Sequence, residues 1–338
     1  MSRQNTNIRP RRNQFVRLRR NRRSETIRQG LAETHLSVAN LVYPLFICDG
    51  KNQEIAIKSM PGIYRLSLDL ALKEIENCIQ LGLKSFALFP AIDESLKDKK
   101  ASEALNDKGF AIQAIREIKN RFQNVTLYTD IALDPFSSDG HDGIVKDGII
   151  LNDETVEILA KMAVLQAAAG ADYVCPSDMM DGRIKAIRQA LDEAGFSHTG
   201  IMAYSAKYAS SFYGPFRDAL DSAPKFGDKK TYQMDYRNSR EALREIQLDI
   251  REGADIVMVK PAFSYLDIIQ KARVNFSVPI AAYNVSGEYA MIKFAAQAKA
   301  LDETKAMLEM LYSIRRAGAD LIFTYFAKQF AEYCLKSR

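Results

Sequence analysis

The sequence predicts an α/β protein of the closed (β/α)8 TIM-barrel class, preceded by an extended N-terminal arm. Three observations carry that prediction. From residue 41 onward, eight short apolar runs rich in β-branched and aromatic residues alternate with amphipathic stretches. Strands buried on both faces read as such continuous runs, and regular β/α alternation implies parallel pairing. Three amphipathic stretches end in nearly the same phrase: Ala169-Gly170-Ala171-Asp172, Glu252-Gly253-Ala254-Asp255 and Ala317-Gly318-Ala319-Asp320. Each offers a C′ glycine and leads into the next run, the punctuation of a repeating unit. The competing open, doubly wound sheet would be functionally informative only with a glycine-rich nucleotide loop. No GxGxxG follows the first run, and there is no Walker lysine loop.

Composition sets the bounds. A chain of 338 residues suits one decorated barrel. With 47% hydrophobic and 26% charged residues it is globular rather than disordered. No apolar run approaches the ~18–20 residues of a membrane span, and the N-terminus lacks the apolar core of a secretory signal. Cys48, Cys78, Cys175 and Cys334 are scattered, with no CxxC pair, so neither a zinc knuckle nor a disulfide framework is indicated. A cytoplasmic location is expected.

In chain order, residues 1–34 form a basic arm and residues 35–338 the barrel. Residues 1–30 hold ten arginines against one acid, Glu25. The net charge of +5 therefore belongs to the arm, and the body is net acidic. Such an arm could bind nucleic acid, serve as an organellar transit segment, or dock on a neighbouring subunit. The interleaved Phe15, Val16 and Leu18 favour docking over a free polyelectrolyte. The eight runs are 41–47, 85–92, 125–133, 171–177, 200–207, 255–260, 278–285 and 320–326. The predicted helices are 67–81, 102–122, 153–169, 182–194, 239–252, 265–275, 288–300 and 304–317. Ser67 and Ser239 are the expected N-caps, and Gly82 and Gly195 join the three C′ glycines.

A barrel of this class places its active site at the C-terminal ends of its strands. Those ends carry Asp130, Asp134 and Asp142, then Ser177 and Asp178, Lys207, Lys260, Asn284 and Ser286, and Thr324 and Tyr325. This is more polarity on one rim than packing explains. Lys207 and Lys260 end adjacent strands. Taken singly, a lysine ending an apolar strand snorkels to solvent, and a pair could clamp an anion. Two ammonium groups at one barrel mouth instead repel, and each pKa falls. A neutral amine forms a Schiff base with a ketone or aldehyde.

These residues resemble a known family. Met258-Val259-Lys260-Pro261-Ala262 with Tyr265-Leu266-Asp267 is similar to the Schiff-base segment of the porphobilinogen synthase (5-aminolaevulinate dehydratase) family. The stretches 203–210, 212–217, 176–183 and 231–235 match in the family's order. The resemblance implies condensation of two 5-aminolaevulinate molecules to porphobilinogen with loss of two waters. It implies that Lys260 binds the substrate that becomes the propionyl side and Lys207 the other. It places Arg217 and Lys229, with Gln233, on one substrate and Ser286 and Tyr325 on the carboxylate of the second.

Zinc-dependent relatives carry cysteines where this chain has Ala132, Asp134 and Asp142. Carboxylates suit magnesium or no metal. The resemblance thus implies the aspartate-rich branch, with no catalytic zinc. Asp130, Asp134 and Asp142 then hold a hydrated cation or act in proton transfer. Asp139 stands where a histidine is usual, and His141 reads as a solvated loop histidine. Glu245 reads as a solvated carboxylate by itself; the resemblance makes it an allosteric Mg²⁺ ligand. It also makes Arg9-Pro10-Arg11-Arg12 the start of an arm that embraces a neighbour in a homo-octamer, with no nucleic-acid or membrane partner. Segment 208–238, with Gly214, Pro215, Pro224 and Gly227, is expected to be a loop-rich mobile lid. The competing functions are a one-lysine Schiff-base aldolase and nucleic-acid binding through the arm.

Overall fold

The computed structural model describes residues 15–336. The chain divides into two compact units, residues 1–35 and 36–338. Within the first lie a 3-10 turn, Leu18–Arg22, and a short helix α1, Glu25–Gly30, whose N-cap Ser24 accepts a hydrogen bond from the Ile27 amide at 3.3 Å. Phe15, Val16 and Leu18 are exposed. The Arg9–Arg12 motif lies outside the described residues.

The second unit is a closed barrel. Its eight strands are β1 (Leu41–Cys48), β2 (Ser85–Ala91), β3 (Thr126–Ile131), β4 (Tyr173–Pro176), β5 (Gly200–Lys207), β6 (Ile256–Lys260), β7 (Ile280–Asn284) and β8 (Leu321–Thr324). They pair in sequence order, all parallel, and β8 returns to β1. Each of the eight apolar runs became one strand. Helices pack around the ring, including α2 (Leu68–Gln80), α3 (Phe110–Arg121), α4 (Asn152–Ala169) and α5 (Arg183–Glu193).

The repeated Gly-Ala-Asp phrase has a double role. Gly170, Gly253 and Gly318 take φ of 109°, 111° and 125°, which favours glycine. A Cβ on Gly318 would meet the Arg273 Cβ at 2.6 Å. The aspartates staple strands. Asp172 donates its amide to the Leu127 carbonyl (3.1 Å) and accepts the Leu127 amide on its carboxylate (2.7 Å). Asp255 does the same with Ile201, and Asp320 with Ile280. Each aspartate thus closes two strands at the rim opposite the site.

Several local expectations differ. Ser67 and Ser239 do stand at N-cap positions, but their side chains accept no amide of their own helix; Ser67 Oγ instead donates to Asp69 at 2.6 Å and accepts the Gln53 amide at 2.9 Å. The stretch 102–122 breaks into a 3-10 turn, Ser102–Leu105, and α3, because the Asn106 side chain accepts the Lys108 amide in an Asx turn. The segment 208–238 contains helix α6 (Gly214–Leu220), with Pro215 in its first turn. Then follow α7 (Arg240–Glu252), α8 (Leu266–Asn275), α9 (Ser286–Gln297), α10 (Glu303–Ala317) and a final helix, α11 (Ala327–Lys336), that the runs did not reveal. Two small antiparallel hairpins, Glu54–Ala56 with Tyr64–Ser67 and Ile144–Lys146 with Ile149–Leu151, are too short to show a period.

Candidate active site

The β5–β6 ladder brings the two lysines together. Ile256 pairs with Met202 and Val257 with Ala203; the register then slips, so that Val259 pairs with Ala206 and Lys260 with Lys207. One extra residue on β5 makes a β-bulge. Strict alternation would put Tyr204 and Lys207, three apart, on opposite faces. With the bulge both serve the interior: the Tyr204 ring lies 4.9 Å from Lys260 Nζ, and Lys207 reaches the acidic loop.

The two amines are not equivalent. Lys260 Nζ sits in a box of four rings, Tyr283 at 4.6, Tyr204 at 4.9, Phe216 at 5.1 and Tyr213 at 5.3 Å from their centroids. Burial, and then the neighbouring Lys207 charge, pushes the Lys260 amine down to about 7, against the pull of Asp130, Asp134 and Asp142. Lys207 Nζ instead donates to Asp142 Oδ2 at 3.2 Å and to the Ser177 carbonyl.

The acids are arranged around these amines. Asp142 is buried between Lys207 and Lys229, whose Nζ lies 2.7 Å from Asp142 Oδ1 and 3.3 Å from Asp134 Oδ2. Burial alone would raise the Asp142 carboxyl, but the two ammonium groups hold it well below the usual carboxylate range. Asp130 goes the other way, to about 7, through burial and then the Asp134 charge. Asp134 is also raised by burial, with Lys229 opposing. A carboxyl and an amine that both titrate near neutrality form an acid/base pair suited to proton transfer.

Asp130, Asp134, Asp142, Lys207, Lys260, Arg217, Lys229 and Gln233 all line one small, partly open cavity of about 30 Å³. Ser286, at the start of α9, accepts the Phe216 amide (3.0 Å) and donates to the Phe212 carbonyl (3.2 Å). Its hydroxyl thus holds down segment 208–238. Tyr325 lines a neighbouring cavity with Tyr289 and Lys293, and reaches Lys260 through Tyr283, 3.1 Å from hydroxyl to hydroxyl. Glu245, on α7, lies in a third cavity with Asp181 and Glu241. His141 is not solvated: it is buried, with Nδ1 3.0 Å from the Tyr232 hydroxyl and Nε2 3.1 Å from the Phe226 carbonyl. A carbonyl only accepts, so Nε2 carries the proton and Nδ1 receives the tyrosine hydroxyl. Among the described residues, no three or more His, Cys, Asp or Glu side chains converge where they could hold a metal ion. No helix among them is long and apolar enough to cross a membrane. The aromatic box was not read from the sequence, although Tyr204 and Tyr283 stand at strand ends beside the residues that were.

The sequence and the fold are similar to those of known proteins. The family model of delta-aminolevulinic acid dehydratase matches residues 15–333. A chloroplastic delta-aminolevulinic acid dehydratase of Glycine max is 56% identical over 319 residues, covering 94% of this chain and 77% of that protein. The delta-aminolevulinic acid dehydratase of Bradyrhizobium diazoefficiens is 52% identical over 318 residues, 94% of this chain and 90% of that one. The crystal structure of delta-aminolevulinic acid dehydratase (porphobilinogen synthase) from Toxoplasma gondii, in complex with porphobilinogen, superposes with a TM-score of 0.95 at 50% identity. That superposition covers 96% of this chain and 93% of the other. With the family model matched over nearly its whole length and relatives above half identity, this chain belongs to the delta-aminolevulinic acid dehydratase family and is a lyase of that kind.

Proposed function

We propose that this chain joins two 5-aminolaevulinate molecules into porphobilinogen, releasing two waters, with each ketone held as a lysine Schiff base. The observation that carries this reading is the in-register pair Lys260–Lys207 at the barrel mouth. Two amines side by side suit two ketones; a single-lysine mechanism leaves the second without use. Lys260 takes the first substrate, because its amine is free near pH 7 and has no carboxylate bound to it. Ser286 and Tyr325 receive that molecule's carboxylate. Lys207 takes the second ketone, held beside Asp142, with Arg217, Lys229 and Gln233 on the second molecule.

The cavity, about 30 Å³, is too small as it stands for two substrates, and segment 208–238 is the lid that opens to admit them. Borohydride reduction in the presence of 5-aminolaevulinate, followed by peptide mapping, is expected to label Lys260. Digestion of the same samples is expected to show 208–238 protected by substrate. An unlabelled Lys260 sinks the Schiff-base reading, and equal cleavage sinks the lid.

Glu245 is the residue that fits a hydrated Mg²⁺. Its carboxyl is raised by burial and by Asp249, then Asp181 and Glu241, with Arg183 opposing, so a cation would relieve the clustered charge. Few protein ligands and many waters are what magnesium tolerates. The exposed Phe15, Val16 and Leu18 fit an arm that docks on a second copy in an octamer. Mg²⁺ returned to chelator-treated protein is expected to raise both activity and octamer content by light scattering, and Glu245→Gln to remove both responses. Identical behaviour of variant and parent would assign the ion elsewhere.

A further inference from the structure

Glu288 is fully buried in the first turn of α9, and none of the groups bound to it carries a positive charge. Four neutral N–H donors surround its carboxylate. Oε1 accepts the Phe263 amide at 2.8 Å and the Ser264 amide at 3.4 Å, both in the turn just after Lys260. Oε2 accepts the Val285 amide at 3.0 Å and Asn284 Nδ2 at 3.1 Å, at the end of β7 and directly before Ser286. Asn284 continues the chain: its Oδ1 accepts the Thr324 hydroxyl at 2.8 Å, and Thr324 Oγ1 accepts the Phe326 amide at 3.2 Å. Tyr325 lies between those last two residues. One buried hydrogen-bond chain therefore joins the ends of β6, β7 and β8.

We propose that Glu288 is a positioning residue that sets Lys260, Ser286 and Tyr325 to act on the same substrate molecule. It touches none of the reacting atoms. This rests on the reading above, in which Lys260 takes the ketone of one 5-aminolaevulinate and Ser286 with Tyr325 its carboxylate. The ketone and carboxylate of that molecule are a fixed number of bonds apart, so the turn after β6 and the start of α9 must keep a fixed spacing. Loops alone do not hold one. A carboxylate that accepts from both turns does, and only an acceptor on both oxygens can serve. Asp142 and Lys207 belong to the β3 loop and β5 and lie outside the chain, so the second subsite is set separately.

Glu288→Gln keeps the shape but turns one acceptor into a donor facing N–H groups. The expected result is a rise in KM of about ten-fold or more, on the scale of a buried donor left unpaired, and a matching fall in borohydride labelling of Lys260 at fixed substrate. The decisive readout is a double-mutant cycle with Ser286→Ala: the KM cost of losing the serine should shrink when Glu288→Gln is already present. Should Glu288→Gln fail to fold, Thr324→Val, at the far end of the chain, is read in the same cycle. Unchanged KM and labelling, or costs that simply add, overturn the proposal. An unlabelled Lys260 in the unsubstituted enzyme overturns the Schiff-base reading instead, and this inference falls with it.

Discussion

Lys260→Met lowers kcat/KM by roughly 10⁴-fold or more, on the scale of deleting a catalytic nucleophile, and leaves the barrel folded. Methionine is unbranched like the lysine stem, and its sulfur suits the four rings that surround Lys260 Nζ. What disappears is the amine alone, together with the cost of holding a cationic group in that box. Steady-state rates paired with thermal melting check this; a folded variant that keeps most of its activity refutes the role. The same amine fixes the pH profile of the parent. It attacks only when neutral, and its value of about 7 makes kcat/KM climb towards pH 7 and flatten above it. A lysine with the ordinary value of ~10.4 would still be gaining at about pH 9. Asp130 titrates in the same range and interacts with Lys260, so the measured inflection belongs to the pair.

Asp142→Asn has the second large effect, on stability and rate together. The carboxylate is buried between Lys207 at 3.2 Å and Lys229 at 2.7 Å. Its amide replacement offers one acceptor and turns a donor towards one of the two ammonium groups. Breaking a buried pair in this way costs about 3–5 kcal/mol; Lys229 keeps Asp134 at 3.3 Å, which sets the expectation at the lower end. The sign of the pH dependence follows from the direction of the shift. Asp142 has a depressed value in the folded state, so its contribution is complete above its unfolded value of ~3.9 and is lost as the pH falls below it. Denaturant midpoints of parent and variant should differ fully at about pH 7 and converge in acid. A constant gap would assign the loss to packing.

The barrel was legible because its signals are local. Apolar runs, C′ glycines and the aspartates after them each report on a few neighbouring residues, and eight repetitions leave little freedom in topology. The site residues were legible because strand ends share one rim. Short-range reading missed what depends on distant partners. Glu288 opened the predicted helix 288–300 with nothing local to mark its role, since its donors at Phe263 and Ser264 are some two dozen residues away in sequence. His141 looked solvated because Phe226 and Tyr232 reach it from the covering segment. The different surroundings of the two lysines were out of reach for the same reason: Asp142 binds one of them, while rings drawn from separate stretches of the chain surround the other.

The stapling aspartates described with the fold have a consequence for the chemistry. Asp172, Asp255 and Asp320 tie β3 to β4, β5 to β6 and β7 to β8. Three ladders beside these couples are shorter, β6–β7 with three pairs and two others with two each. Among the described residues, Tyr173 with Gly200 and Val174 with Ile201 are the pairs that join β4 to β5, and Leu41 with Ile322 and Val42 with Phe323 those that close the ring. Three of the eight junctions are in this sense arches, each pinned at its foot. Lys207 and Lys260 stand on the crown of one arch, with Asp255 at its foot. Their separation is therefore a property of that arch, held by Asp255 at one end and by in-register pairing at the other.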